Sequence, residues 1–525
     1  MKILVTDPLS KKGVDILRKE KFIVDEKGKM TSDELKKAIK GYDAVIVRSG
    51  TKVTSGVIEA SDKLKVIGRA GVGLDNVDSA AASKKGIIVM NTPGGNTISA
   101  AEQTMSLLLS LARNIPQANA SIKKGEWERK KFMGVELYEK TLGIIGLGRI
   151  GTEVAKRSLS FGMKVVAYDP YLTVDRARQL DIELVDLKEL FKASDFITTH
   201  IPLTDDTKHL ISDKEIKQMK KGVRIINVAR GGIMDEKALL RGIEDGKIAG
   251  VALDVFEVKP PAKNPLIESG KVIGTPHLGA STEEAQDKVA VEMAKQIADA
   301  LLGRGVKNAV NIPYVEPELL KVIQPYINLS EKMGALQAQL AQDRIKEVSI
   351  LYGGEIINYD LSSITIAFIK GLLTPVVGEK VNYVNASVIA SERGIKITEA
   401  KSSAIEEFAN LISVSVKTKD KKMQIEGTLF ANGKPRIVKV DNFYVDIEPK
   451  GYMIFASNKD VPGIVGKLGS ILGKNKINIA AMTFGREKQG GRAVSVCNVD
   501  SFVSDKVLDQ IRKAENIYDA KLIKL

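Results

Sequence analysis

The sequence predicts an α/β protein: two doubly wound parallel-sheet units, an α+β segment, and a small βαββαβ unit at the end. Three observations predict it. Over residues 1–300, short Val- and Ile-rich runs alternate with helical patterns, the sign of βαβ units. A glycine turn, Gly146-Leu147-Gly148-Arg149-Ile150-Gly151, joins a strand pattern to a helix pattern. Residues 452–525 change to a strand-rich pattern with two helical stretches. At 525 residues the chain is too long for one core.

In the first unit, Lys2–Thr6, Ala44–Val47, Val66–Arg69 and Ile87–Met90 read as buried strands, with Ser32–Ile39 and Val77–Lys84 among the helices between them. Ser99–Ala112 reads as a long apolar helix leading into a second series of strands. Those are Thr141–Ile145, Lys164–Tyr168, Phe196–Thr199, Arg224–Asn227, Gly250–Leu253 and Val272–Gly274, enough for a complete Rossmann-like sheet. The amphipathic run Glu283–Leu302 closes this part, and Gly303–Tyr314 reads as a connection broken at Pro313. From Glu316 to Val445 the pattern reads as strands separated by Gly turns. The last unit divides into Tyr452–Ser457, helix Gly463–Lys474, Asn478–Arg486, Arg492–Val499, helix Ser504–Ala514 and Ala520–Lys524, a ferredoxin-like order.

Composition excludes several classes. A hydrophobic fraction of 44% with 27% charged residues is that of a globular protein. No apolar run approaches the roughly 18–20 residues that span a bilayer, so no membrane association is expected. The first residues, Met1-Lys2-Ile3-Leu4-Val5, read as a strand rather than a leader peptide. A single Cys497 leaves no disulfide framework within the chain, in keeping with the cytoplasm. The net charge is +14, yet Lys residues are spread along the chain and interleaved with acids. That pattern fits a solvated surface attractive to anionic substrates rather than a nucleic-acid module. No metal site is expected.

The glycine turn carries the cofactor argument. Gly146 permits a tight turn, Gly148 admits a pyrophosphate close to the backbone, and Gly151 lets helix and strand pack. Free N–H groups at the helix N-terminus complement phosphate charge. The next strand ends in Asp169, a carboxylate for ribose hydroxyls, and Pro170-Tyr171 follow instead of an Arg, which favours NAD over NADP. Two further residues suit hydride chemistry on a hydroxy acid. Arg230, before Gly231-Gly232 at the end of a strand, offers a bidentate carboxylate ligand. His277, in Thr275-Pro276-His277, is one of three histidines and titrates in the range useful for proton transfer. His200 and His209 read as structural or cofactor-loop residues.

The runs RAGVGLDN (69–76), NTPGGNTISAAEQT (91–104), GLGRIG (146–151), NVARGG (227–232), ALDVFE (252–257) and TPHLGAST (275–282) resemble the D-isomer-specific 2-hydroxyacid dehydrogenases. Within that family the similarity is greatest to the branch acting on 3-phosphoglycerate, through VRSGTKVT (47–54), WERKKFMG (127–134) and IGTPHLGASTEEAQ (273–286). The resemblance implies four segments: 1–92 with 285–314 as substrate-binding domain, 93–284 as NAD-binding domain, 315–446 as intervening domain and 452–525 as ACT domain. It implies His277 as proton donor and Arg230 as carboxylate ligand. It implies NAD contacts from Gly146, Gly148, Arg149, Ile150, Gly151, Asp169, Val228, Ala229, Arg230, Asp254, His277, Leu278, Gly279 and Ala280, with Val72 and Ile201 on the nicotinamide side. Arg48, Ser49, Arg69 and Gly71 would meet the substrate, and Arg129 would reach a neighbouring subunit's site in a homodimer or homotetramer.

One position departs from the family. A Glu is expected five residues after the Asp of the DVF run, beside the histidine, and this chain has Lys259 there. A cation would lower the pKa of His277 and remove its orienting partner. The expectation adopted is that the loop shifts and Glu257 takes the role, the other outcome being altered catalysis. The last segment resembles an ACT domain, in which Asn458, Asp460 and Asn478 match positions that hold an amino-acid effector, with L-serine as the expected ligand. Three readings stay open: oxidation of 3-phosphoglycerate on the path to serine, a hydroxypyruvate/glyoxylate or D-lactate dehydrogenase, and an NAD-sensing corepressor-like protein. Arg48, Arg69 and the basic run after Trp127 favour the phosphorylated substrate.

Overall fold

A computed structural model of the chain describes residues 1–261, 263–341, 343–404, 407–430 and 433–525. The first sheet is five-stranded and parallel, in the order Ile23–Glu26, Lys2–Val5, Ala44–Val47, Val66–Arg69, Ile88–Met90. Three of these strands are buried along almost their whole length, as parallel strands covered on both faces require. Ile23–Glu26 is the edge strand that sequence reading passed over, because it is short, half polar and largely exposed.

The second sheet has seven parallel strands: Val272–Gly274, Ile248–Leu253, Val223–Asn227, Phe196–Thr199, Thr141–Ile145, Lys164–Tyr168, Glu183–Leu184. All six expected strands are present, and the two-residue edge strand Glu183–Leu184 is additional. Strand order reverses between Thr141–Ile145 and Phe196–Thr199, which opens the crevice where doubly wound sheets bind ligands. Helix Thr97–Arg113 covers this sheet, placing Ala101, Met105 and Leu108 in one core with Leu142 and Ile144. Helix Glu283–Leu301 then returns to the first sheet, where Val289, Met293 and Ile297 pack with Ile3, Val5 and Val66.

Residues 316–445 differ from the expected run of strands and Gly turns. Pro317–Ala341 is a 25-residue helix lying against a second helix, Ser362–Val377. A Cβ on Gly334 would sit 2.1 Å from Phe368 O, and one on Gly371 would sit 1.9 Å from Glu331 O. The two glycines let backbones touch across a helix crossing and are not turn residues. The helices lie on a mixed six-stranded sheet in the order Lys396–Ser402, Glu347–Gly354, Asn410–Lys417, Lys422–Phe430, Lys434–Val440, Phe443–Ile447.

The last sheet is four-stranded and antiparallel, ordered Ile479–Arg486, Arg492–Val499, Tyr452–Lys459, Ile517–Lys524, with helices Ile464–Lys474 and Asp505–Arg512 on one face. Its other face sends Met453, Phe455, Val494, Val496 and Ile523 into the core of the preceding α+β segment.

Candidate active site

The singled-out residues of the second sheet stand just past the C-terminal ends of six strands. Gly146 follows Ile145, Asp169 follows Tyr168, His200 follows Thr199, Arg230 lies past Asn227, Asp254 follows Leu253 and His277 lies past Gly274. Arg48 and Arg69 occupy the same end of the first sheet.

The glycine turn is shaped by contacts that only glycine permits. Gly146 has φ +93°, and a Cβ there would lie 2.6 Å from Ile201 Cγ2 and 2.7 Å from His200 O. A Cβ on Gly151 would lie 2.1 Å from Gly146 O, so helix Arg149–Ser160 can pack on the turn only without a side chain. Gly148 is the opposite case: a Cβ would meet nothing within 4 Å. It caps the helix with no side-chain hydrogen bond, so the first amides face open space, as a pyrophosphate requires. Asp169 closes the turn, accepting Leu147 N–H at 2.8 Å and Tyr171 N–H at 2.9 Å. These residues fit a dinucleotide. The His200 ring shares a 3.1 Å hydrogen bond with Thr198 Oγ1, and burial pushes its pKa down to about 4, so it is neutral.

The loops after Asn227 and Leu253 are fixed from beneath. Asn227 Oδ1 accepts Ala229 N–H at 3.0 Å while its Nδ2 donates to Arg230 O at 2.8 Å. Fully buried Asp254 accepts Thr275 Oγ1–H at 2.6 Å, Leu278 N–H at 2.7 Å and Gly279 N–H at 2.8 Å. The Asp254 carboxylate thus holds the His277 loop. Its neighbours Val228, Leu278, Gly279 and Ala280 are shaped by that anchor.

Cations converge on this loop. Gly71 and Gly73 make room for two guanidiniums: a Cβ on Gly71 would overlap Arg69 Nη1, and one on Gly73 would lie 2.2 Å from Arg230 Nη2. Arg230 Nε pairs with Asp75 Oδ2 at 3.2 Å. Burial, and then the charge of Arg230, push Arg69 down to about 10. The Arg48 backbone amide donates to Asp7 Oδ2 at 2.6 Å and its guanidinium to Pro8 O at 3.2 Å. Ser49 is exposed beside it, and Val72 O accepts Asn91 Nδ2–H at 2.6 Å. Asp75, Asn91, Asn227 and Thr275 were missed as individual residues. All four lay inside the quoted runs, and only their side-chain partners reveal their work.

Glu257 does not reach His277, and the expected loop shift is corrected. Its Oε1 lies 3.2 Å from His209 Nε2, and it accepts Glu236 N–H at 3.3 Å, which ties the loop to helix Glu236–Glu244. The residue beside the histidine is Lys259, whose Nζ is 3.2 Å from His277 Nδ1. Desolvation, then the charge of Lys259, lower the pKa of His277, with Arg230 and Arg69 adding to this and Asp254 opposing it.

Arg129 lies in an exposed stretch that makes no hydrogen bond or ion pair to these groups among the described residues. Nearby Trp127 is 77% exposed and Met133 79%. In the last sheet, Asn458 is buried, donating to Lys459 O at 2.9 Å and accepting Ser495 Oγ–H at 2.7 Å, so it belongs to the sheet interior. Asp460 pairs with Arg486 at 3.2 Å, and exposed Asn478 donates to Asp500 at 2.6 Å.

Residues 105–279 match the family described as D-isomer specific 2-hydroxyacid dehydrogenase, NAD binding domain. Residues 322–441 match the D-3-phosphoglycerate dehydrogenase intervening domain, and 452–516 match the ACT domain. The chain is 46% identical to the D-3-phosphoglycerate dehydrogenase of Methanocaldococcus jannaschii over 100% of both chains. It is 45% identical to that of Synechocystis, covering 100% of this chain and 95% of the relative. For the Bacillus subtilis enzyme of that name the identity is 43%, with 100% and 99% covered. Among solved structures, D-lactate dehydrogenase from Aquifex aeolicus, complexed with NAD and lactic acid, superposes with a TM-score of 0.54 at 29% identity, covering 60% of this chain and 100% of that one. A glyoxylate reductase from Paecilomyes thermophila gives 0.55 at 28%, covering 61% and 99%.

Proposed function

The chain belongs to the D-3-phosphoglycerate dehydrogenase family, and from that premise we propose how its residues carry out the reaction. It is an NAD-dependent oxidoreductase that converts D-3-phosphoglycerate to 3-phosphohydroxypyruvate, the first committed step towards L-serine. The observation that carries the residue-level reading is the convergence of Arg69 and Arg230 on the His277 loop, at the end of the sheet that holds the glycine turn. A monocarboxylate needs one guanidinium, whereas a phosphorylated hydroxy acid needs a second cationic site. The lactate and glyoxylate enzymes match about three-fifths of the chain, while the phosphoglycerate relatives match its whole length.

NAD, when bound, accepts the hydride. The open amides at Gly148 would hold its pyrophosphate and Asp169 its ribose. Arg230 would take the substrate carboxylate, with Arg69 and Arg48 meeting the phosphate. His277 would remove the hydroxyl proton. Asp254 would keep the His277 loop in place beside the nicotinamide.

The ACT domain is consistent with feedback by serine. We place the effector near Asp460 and Asn478, at a surface completed by a second subunit. The exposed apolar residues Ile115, Ile122, Trp127, Met133 and Tyr138 support a homodimer or homotetramer. No helix of the described residues is long and apolar enough to cross a membrane. The lone Cys497 is a free thiol, which suits a reducing compartment, and on that ground we assign the protein to the cytoplasm. The four expected segments remain our division of the chain.

Initial rates of NADH formation with 3-phosphoglycerate, D-lactate and D-glycerate test the assignment. A strong preference for the phosphorylated acid, lost in Arg69→Ala and kept in its unphosphorylated background rate, is the expected result. Equal rates on all three would overturn it.

A further inference from the structure

Lys259 Nζ and His277 Nδ1 lie 3.2 Å apart, and the protonation state of Lys259 limits how these two atoms can share a hydrogen. An ammonium has three donors and no acceptor, so a protonated Lys259 must donate to an unprotonated Nδ1. The imidazole proton then resides on Nε2. A neutral Lys259 can instead accept from Nδ1–H, which leaves Nε2 with a free lone pair. Protonating both groups would set donors face to face. The charged groups facing the pair are Arg230, Arg69, Asp75 and Asp254. Desolvation and Arg230 hold Lys259 below the usual lysine range, with Asp75 and Asp254 opposing. His277 is held below its own range by desolvation and by Lys259. The pair therefore titrates as a unit.

We propose that Lys259 and His277 form one proton-sharing unit, in which Lys259 is the positioning residue that takes and returns the Nδ1 proton of the histidine. The inference rests on the reading of His277 as proton carrier. During oxidation the C2–H bond of the hydroxy acid breaks and its electron pair leaves with hydrogen to the nicotinamide of NAD. The O–H bond breaks, its proton goes to Nε2, and the C2=O bond forms. The imidazole passes its Nδ1 proton to Nζ and ends as the Nε2–H tautomer beside an ammonium. In reduction Nε2–H protonates the carbonyl oxygen while Nζ returns a proton to Nδ1. Neither direction leaves an imidazolate.

Two consequences separate this unit from a lysine that merely adds charge. The unit must be uncharged to start oxidation and singly charged to start reduction. Oxidation therefore rises with pH along a limb set by the pair, and reduction falls along the same limb. A cation that cannot release a proton in Lys259's place also stops both directions. Arg is such a cation.

The test joins imidazole nitrogen NMR of the ligand-free protein to kinetics in both directions. The chain has three histidines, so His277→Gln assigns the signal. The expected spectrum shows His277 as the Nε2–H tautomer at neutral pH, switching to Nδ1–H as the solution becomes alkaline. Lys259→Met should abolish that switch. Lys259→Arg should lose about a hundredfold or more of kcat in both directions, the ordinary worth of general acid–base catalysis. Lys259→Glu should keep both directions and move the oxidative limb down, gaining about tenfold at neutral pH for each pH unit moved. A tautomer that stays constant with pH, or Lys259→Arg as active as the wild type, would overturn the proposal. The wild-type spectrum needs no variant to fold. A wild type inert towards 3-phosphoglycerate but showing the tautomer switch would sink the functional assignment and leave the pair intact.

Discussion

Asp75 and Arg230 join the loops of the two parallel sheets, Oδ2 lying 3.2 Å from Nε. Asp75 is mostly exposed, whereas Arg230 is mostly covered. With Arg230 as the proposed carboxylate ligand, Asp75 holds the guanidinium edge that a substrate carboxylate would need and would compete with it. Such an exposed pair is worth about 0–1 kcal/mol. Asp75→Asn should therefore lower KM for 3-phosphoglycerate by up to about fivefold with little change in kcat. Steady-state kinetics check this, and a raised KM would mean that Asp75 positions Arg230 for binding.

Asp254 acts through the His277 loop. Removing its carboxylate leaves the Leu278 and Gly279 amides and the Thr275 hydroxyl without their acceptor. Each unsatisfied buried donor costs about 1–3 kcal/mol. Asp254→Ala should lose about 2–4 kcal/mol of stability in urea unfolding and a large part of kcat. Asp254→Asn, which keeps one acceptor oxygen, should lose less of each.

The parts of the site legible in the sequence are those where glycine or a strand end fixes the backbone. Gly146 and Gly151 show why, since one needs a positive φ and the other a close approach of helix to turn. In the segment 316–445, read as strands and Gly turns, Gly334 and Gly371 instead serve a helix crossing, in which the longer helix contains Pro325. The fate of Glu257 was hidden for another reason. The expected loop shift would have carried it to His277, but its carboxylate is claimed by His209 and the start of helix Glu236–Glu244, a tertiary contact no local pattern encodes.

The glycine turn yields a contrast between neighbouring substitutions. Gly151→Ala forces a Cβ to within 2.1 Å of Gly146 O, so the turn or the helix must move. It should lower both thermal stability and NAD affinity. Gly148→Ala meets open space and should leave the melting temperature within about 2 °C of the wild type. Its added methyl occupies the approach of the pyrophosphate, so Kd for NAD should rise about tenfold or more, roughly 1.4 kcal/mol. Calorimetric unfolding and NADH fluorescence titration separate the two effects.

His200 makes the fold sensitive to acid. Its folded pKa is pushed to about 4 by burial, below the unfolded value near 6.5. Between these values the unfolded chain binds the proton that the folded chain excludes, so stability rises with pH. The contribution is complete above about pH 6.5 and is lost as pH falls towards 4, amounting to a few kcal/mol at most. Denaturant midpoints at pH 5 and 7.5 should therefore converge in His200→Asn relative to the wild type. An unchanged pH dependence in that variant would remove His200 as the cause.

Arg129 has no place in the site of its own subunit among the described contacts, yet it sits beside exposed Trp127 and Met133. An exposed apolar and basic stretch of this kind fits a neighbouring subunit, where Arg129 would meet the substrate phosphate across the interface. Arg129→Ala should raise KM for 3-phosphoglycerate by about tenfold, the worth of one charge-assisted contact. A mixture decides whether the contact crosses subunits. Arg129→Ala and His277→Gln chains, unfolded and refolded together, would form hybrids in which one site carries both His277 and an Arg129 donated by the other chain. At low substrate their activity should exceed the sum of the separate variants. If it equals that sum while light scattering shows mixed oligomers, Arg129 does not act across the interface.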